Sequence, residues 1–191
     1  MTEYDPAPGE LVADDVWSLM VATGDYVGQH AEGMEMGDVV VRGGRWSGAV
    51  LDELRAFNVD FEDCDLSGVS FAGAHLRHVH FRGCKLNDAN FRMVEANDVA
   101  FDDAALVAAD FYAAKLTDAR MRRCDLRATD WTKSVLAGVD LRGSRLEDIR
   151  GAGSLRGVTI DSSQVVPLAY SLAVALELTI SDDFDAAPRR A

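Results

Sequence analysis

Proline is missing from position 9 through position 166 of this 191-residue chain; all four of its prolines lie outside that stretch. A segment of that length without proline keeps every backbone N–H free to donate, as a structure built on inter-strand hydrogen bonds requires. Cysteine is scarce as well. There are three, an odd number with no C-x-x-C pair, which argues against a disulfide framework or a zinc site and for buried thiols. Basic residues are outnumbered, 19 Lys and Arg against 32 Asp and Glu for a net charge of −13, so direct nucleic-acid binding is disfavoured. No apolar run reaches the roughly 18 residues of a membrane span. The N-terminal MTEYDPAPGE lacks the basic-then-apolar pattern of a signal peptide, and a cytoplasmic location is the expectation. P-loop, GxSxG, HExxH and dinucleotide fingerprints are missing too, so neither an enzyme nor a cofactor site is expected.

What is present is a period of five. From Val41 the steps run through Trp46, Leu51, Ala56, Phe61, Leu66 and onward to Leu146, and all 22 positions are apolar. At the chain's own 48% hydrophobic content, independent positions would do this with a chance of about 10⁻⁷. Two residues before each centre runs a second column, from Val39 and Gly44 to Val139 and Ser144, small in nearly every member and charged in none. Charges crowd into the other three columns.

Neither regular element can bury such a pattern. Five residues turn an α-helix by about 500°, smearing the apolar positions around the cylinder; in a flat strand an odd step alternates between faces. A coil whose sides are five residues long buries it, each centre and the residue two before it pointing inward.

CDLSG (64–68), ANFRM (89–93), ADFYA (109–113), CDLRA (124–128), TDWTK (129–133) and VDLRG (139–143) resemble the A(D/N)LXX motif of the pentapeptide-repeat family, strongly over about 110 residues. The resemblance implies an all-β solenoid, a right-handed quadrilateral β-helix with four units per coil. Residues 20 apart then stack. Phe61, Phe81 and Phe101 form one ladder, Phe71, Phe91 and Phe111 another on the opposite side, and two leucine ladders fill the remaining sides. Ala56 and Ala96 are small for centres, but Leu54 and Val94 are large for the preceding column, as dense packing demands. Cys64 and Cys84 stack one coil apart, within disulfide reach, and are expected as free thiols.

Upstream, Val16, Val21, Tyr26, Ala31 and Met36 keep the phase, so residues 16–38 read as degenerate first coils of a β-helix spanning 16–160. Residues 1–15 read as an acidic lead whose first ten are disordered. Downstream the phase slips by one at GAGSL (151–155), making Leu155 and Ile160 centres. About seven coils would give a rod of about 34 Å. Asp161, Ser162 and Ser163 offer N-cap chemistry before an apolar segment, so 161–180 is expected as a C-terminal α-helical cap with Leu168, Leu172 and Leu176 over the last coil. Val165, Ala169 and Ala173 are to spare beyond that face, and the resemblance implies a possible head-to-head homodimer there. Residues 181–191 read as a flexible acidic tail.

Function must come from the outward surface. His75, His78 and His80 fall in outward columns around one corner and are expected as surface residues. Arg120, Arg122 and Arg123 are expected to pair with acids one coil away. Residues 1–65 carry −12, residues 66–160 +2 and residues 161–191 −3. The acids Asp52, Glu53, Asp60, Glu62, Asp63 and Asp65 are the candidate partner-binding patch. The leading reading is a non-enzymatic protein-interaction module or scaffold. The alternative, implied by the Mfp and Qnr members of the family, is a DNA mimic acting on DNA gyrase and giving quinolone resistance.

Overall fold

The computed structural model describes residues 2–3 and 11–179 of the chain. Its path is set by a third column that the apolar pattern does not display. The residue two after each centre lies in the left-handed region: Gly43 at φ 60°, Gly48 at 67°, Glu53 at 58°, Asn58 at 55°, Asp63 at 53°, and so on to Asp148 at 59°. One left-handed residue in five turns the chain through a corner, and four corners close a coil. Gly, Asp and Asn dominate this column because they tolerate that conformation best.

The strands are β1 (Thr2–Glu3), β2 (Val16–Ala22), β3 (Glu35–Arg42), β4 (Arg55–Glu62), β5 (His75–Arg82), β6 (Glu95–Asp102), β7 (Lys115–Thr117), β8 (Arg120–Arg122) and β9 (Val135–Ala137). Every pairing is parallel. β3 to β6 each run along two consecutive sides of the coil, here the first side (centres Met36, Ala56, Leu76, Ala96, Leu116) and the second (Val41, Phe61, Phe81, Phe101, Met121). The third and fourth sides are joined by single bridges such as Arg45↔Asp65 and Val50↔Ser70. Each coil both donates to and accepts from its neighbour: Trp46 N–H donates to the Asp65 carbonyl at 2.7 Å and Asp65 N–H to the Gly44 carbonyl at 2.9 Å. Such a ladder has no room for proline.

The bridge ladder Asp25, Arg45, Asp65, Lys85, Ala105, Asp125, Arg145 counts six turns, rather than the seven coils expected from length. The shortfall lies at the ends, where the chain departs from the 20-residue coil.

Inside, the two aromatic ladders stand where the spacing puts them. Phe61, Phe81 and Phe101 stack at 5.0 and 4.8 Å with interplanar angles of 5° and 9°. Phe91, Phe111 and Trp131 stack at 4.9 and 4.4 Å with angles of 2° and 3°. The ladders meet edge-on, as between Phe81 and Phe91 at 6.3 Å and 83°, an arrangement that suits the ring quadrupole. Leu54 and Val94 are buried beside the small centres Ala56 and Ala96. The two tryptophan centres explain two odd members of the column before them: a Cβ on Gly44 would sit 2.4 Å from the Trp46 Nε1, and Thr129 Oγ1 accepts from the Trp131 indole at 2.8 Å. All three cysteines are free and buried. Cys64, Cys84 and Cys124 each donate to a carbonyl of the previous coil at 3.3–3.4 Å, and burial pushes the Cys124 thiol up to about 11.

Both ends correct the sequence reading. β2 pairs with β3 at an offset of 19, Val16 opposite Glu35 and Ala22 opposite Val41. Trp17 (6% exposed) and Ala22 therefore point inward, not Val16 (62%) and Val21. The coil also starts earlier than residue 16: Leu11 is buried, Asp14 N–H donates to the Glu32 carbonyl and the Asp15 carbonyl accepts from Glu35. Thr2–Glu3 pairs with Met20–Val21; the rest of the expected disordered lead lies outside the described residues. At the other end the slip of one occurs as expected, with Asp140 opposite Thr159 and a 3-10 turn at Ala152–Ser154.

The cap begins with a capping box, Asp161 accepting from Ser163 N–H and Gln164 accepting from Asp161 N–H, two orphan donors satisfied reciprocally. Helix α1 then spans Val165–Ala175. Pro167 sits in its first turn, where no N–H is needed. The expected face is wrong: Gln164, Leu168 and Ser171 are buried, whereas Leu172 and Leu176 are exposed. Gln164 fixes the rotation, its amide donating to the Leu141 and Ser144 carbonyls at 2.8 and 2.6 Å. Two strong hydrogen bonds to the open edge of the last coil outweigh an apolar contact. The expected tail, 181–191, lies outside the described residues.

Candidate interaction surfaces

The candidate acids divide between surfaces. Asp52 and Glu53 belong to the fourth side and its corner. Asp60, Glu62 and Asp63 belong to the second side, opposite, and Asp65 opens the third. Most are engaged. Asp60 pairs with His80 at 3.2 Å and Arg82 at 3.3 Å; Glu62 pairs with Arg42 at 2.7 Å and Arg82 at 3.4 Å. Asp52 accepts from Ser70 Oγ and from Ala72 N–H. A hydrogen bond from Ser67 holds the Asp65 carboxyl below the usual range. The six therefore form no single acidic patch.

Pairing between coils runs along the whole rod, since residues 20 apart stand about one strand spacing apart. On the first side Glu35 meets Arg55 at 3.1 Å, and Glu95 meets Lys115 at 2.8 Å and His75 at 3.6 Å. The arginine knot pairs as expected: Arg120 with Asp98 at 3.5 Å, Arg122 with Asp140 at 3.8 Å, and Arg123 with Asp103 at 2.7 Å. A hydrogen bond from Arg142 holds the Asp140 carboxyl at about 2. Each exposed pair contributes at most about 1 kcal/mol, but together they leave little unpaired charge. The three histidines face three different carboxylates, His78 meeting Asp98 at 2.8 Å. Among the described residues, no group of three or more His, Cys, Asp and Glu could hold a metal ion. No described helix is long and apolar enough to cross a membrane.

Two features escape this neutralised pattern. The first is a trough of about 730 Å³ running along the outside of the first side. Its floor is the strand backbone; one wall is the paired column Glu35, Arg55, His75, Glu95, Lys115, and the other holds Ser18, Gly37, Phe57, Arg77, Asn97 and Thr117. Phe57 projects from that wall 49% exposed. The second feature is α1, whose outer surface is apolar: Val166 is 81% exposed and Tyr170 69%, with Val165, Leu172, Val174 and Leu176 beside them. Of the candidate cap residues, Leu168 alone packs deeply; Val165, Ala169, Leu172 and Leu176 face outward and Ala173 is half-buried.

Sequence reasoning missed Phe57, though a signal existed. Of the seven phenylalanines between 41 and 146, six occupy centres. Phe57 alone is out of phase, so it cannot be there to fill the core.

A parallel β-helix of five-residue sides defines a class of protein. Residues 74–150 match the family model described as a pentapeptide repeat region. Among solved structures, HetL, a pentapeptide-repeat protein involved in heterocyst differentiation regulation in the cyanobacterium Nostoc sp. strain PCC 7120, is 18% identical with a TM-score of 0.53, covering 83% of this chain and 81% of its own. QnrB1, a plasmid-mediated fluoroquinolone resistance protein, is 18% identical with a TM-score of 0.41, covering 85% of this chain and 94% of its own. No curated protein matches the chain. These likenesses concern the fold. Over residues 74–150 the chain is a pentapeptide repeat region, and the described coil around that stretch continues the same fold.

Proposed function

We propose that this protein is a non-enzymatic interaction module, a rod that pairs with a second copy through its C-terminal helix. The observation that carries the reading is the composition of α1. Apart from its buried strip it presents valine, leucine, tyrosine and alanine all round, and a helix that is apolar on every side is ordinarily covered on every side. Two rods meeting at a two-fold axis would cover the same patch on both copies, the commonest way soluble chains associate.

The paired double variant Val166→Glu and Tyr170→Glu tests it. Both side chains are largely exposed and outside the core, so the rod should still fold. Light scattering should give twice the chain mass for the parent protein and one chain mass for the variant. A parent protein of one chain mass at tens of micromolar would end this reading.

The alternative of a DNA-like rod directed at DNA gyrase draws on the net charge of −13 but is weakened by where that charge sits. A DNA mimic needs a continuous acidic field, and here the carboxylates of the body are largely met by arginine, lysine or histidine one coil away. If the mimic reading holds, the protein inhibits supercoiling by purified gyrase, and neutralising Asp52, Glu53, Asp60, Glu62, Asp63 and Asp65 abolishes the inhibition.

A further inference from the structure

The trough on the first side is independent of the α1 surface. Its outer wall carries two residues that the solenoid does not account for. Phe57 occupies a column whose other members in neighbouring coils are Gly37, Arg77, Asn97 and Thr117. Leaving so large an apolar side chain in water forgoes about 2 kcal/mol of burial, and nothing in the core gains from it. Arg77, one coil on in the same column, makes no ion pair with any described residue. Its guanidinium instead lies over the Phe57 ring at 5.8 Å. On the adjoining corner His78 meets the same ring edge-on at 5.6 Å and 79°, while Asp98 holds the His78 imidazole at 2.8 Å. The aromatic ring is thus fixed in place before anything binds, with a free cation beside it.

The opposite wall has no charge to spare, since Glu35, Arg55, Glu95 and Lys115 satisfy one another. Arg77 is therefore the one uncompensated charge among the lining residues, a local positive site on a chain of net charge −13. Aromatic and arginine side chains together in a concave site are the commonest anchors of protein recognition. From Ser18 to Thr117 the wall climbs five strand spacings, about 24 Å at 4.8 Å each, the span of roughly seven extended residues.

We propose that this trough binds an extended peptide segment of a partner protein that carries a carboxylate beside an apolar side chain, with Arg77 receiving the carboxylate and Phe57 the apolar group. The segment lies along the rod axis, across the strands. Because the floor's backbone groups are already paired with neighbouring coils, the segment is held by its side chains rather than by adding a strand.

The full-length protein, panned against a random heptapeptide display library, should enrich peptides with Asp or Glu within two residues of Leu, Phe, Tyr or Trp. A dye-labelled synthetic copy of the most enriched peptide should bind saturably by fluorescence anisotropy. Phe57→Ala should weaken it about tenfold or more, the loss expected for an anchor residue. Arg77→Glu should weaken it as much and should rescue binding of the same peptide with its acid changed to lysine. Both side chains are outside the core, and an unchanged circular dichroism spectrum and light-scattering mass establish that the fold and the α1 pairing survive. Enrichment of no acidic-apolar peptide, or binding unaffected by Phe57→Ala and not inverted by Arg77→Glu, would overturn the proposal without touching the reading of α1.

Discussion

Between Asp25 and Arg150 the coil closes every 20 residues, while at either end it closes in 19, Val16 meeting Glu35 and Asp140 meeting Thr159. Each end owes this to one shortened unit. From the inward Ala22 to the inward Tyr26 is four residues with no left-handed corner between them, and the GAGSL turn, entered through the left-handed Gly151, also drops one residue. In the body, rings of neighbouring coils are superposed and stack almost parallel. At the N-terminal end Trp17, Tyr26 and Trp46 instead pack at 38–66° to one another. A repeat stacked on a copy of itself fills space by translation alone, whereas a coil that meets its neighbour in a shifted register cannot. Changing the register brings different side chains inward and lets large rings lie across one another. The C-terminal end adds a hydrogen-bonded cap, Gln164 serving the exposed carbonyls and Leu168 the exposed core.

If the body carries the stability and the ends merely close it, truncating a mid-ladder ring should cost far more than truncating the cap. Phe91 is enclosed by Phe71, Phe81, Phe101 and Phe111, so Phe91→Ala should destabilise by about 3–5 kcal/mol. Leu168→Ala leaves a site that a helix can settle into and should cost about 2 kcal/mol, the low end for leucine. Urea denaturation of both variants measures the difference. Equal losses would mean that the cap is as integral to the fold as the stack.

The comparison also explains what could be read beforehand. Inward positions of the body are dictated by a period that no other structure can bury, so Phe61 through Trp131 were legible one by one. The ends were less so because a slip of one residue hides in composition: Val16 and Trp17 are both apolar, and only pairing with Glu35 and Met36 decides which points in. The cap face was misread because apolar spacing favoured Leu168, Leu172 and Leu176, while two hydrogen bonds from Gln164 to the Leu141 and Ser144 carbonyls of the last coil set the rotation. The acidic patch failed for a related reason: Asp60 and Glu62 are near in sequence to other acids but nearer in space to His80, Arg82 and Arg42. Phe57 and Arg77 stood outside the repeat's logic, where function is free to vary, and only the trough gives them meaning.

A smaller effect separates charge pairing inside the body from pairing at its surface. The Arg142 hydrogen bond holds the Asp140 carboxyl at about 2 against an ordinary 3.8. A folded-state value below the unfolded one means stability that is present above about pH 4 and lost as the pH falls through 2. Asp140→Asn should therefore destabilise by at most about 2 kcal/mol at pH 7 and by well under about 1 kcal/mol near pH 2. Thermal unfolding of the two proteins between pH 2 and pH 7 should show curves converging at the acid end. Parallel curves would mean that Asp140 acts through packing, not charge.

The smallest expected effect, and the only gain, concerns the corner column that distinguishes the 20-residue coil from the shortened ends. Met93 occupies such a corner at φ 56° with its side chain 57% exposed, so it bears left-handed strain with little burial in return. That strain costs a non-glycine residue about 1–2 kcal/mol, whereas glycine gives back about 0.5–1 kcal/mol through the flexibility of the unfolded chain. The difference favours Met93→Gly by a few tenths to about 1 kcal/mol, raising the urea midpoint with an unchanged slope. Gly83 supplies the reverse case: its φ is 62° and a Cβ there would lie 2.3 Å from the Asp63 carboxylate, so Gly83→Ala should lower the midpoint. If both substitutions shifted it in the same direction, the corner would not be what sets the length of the coil's sides.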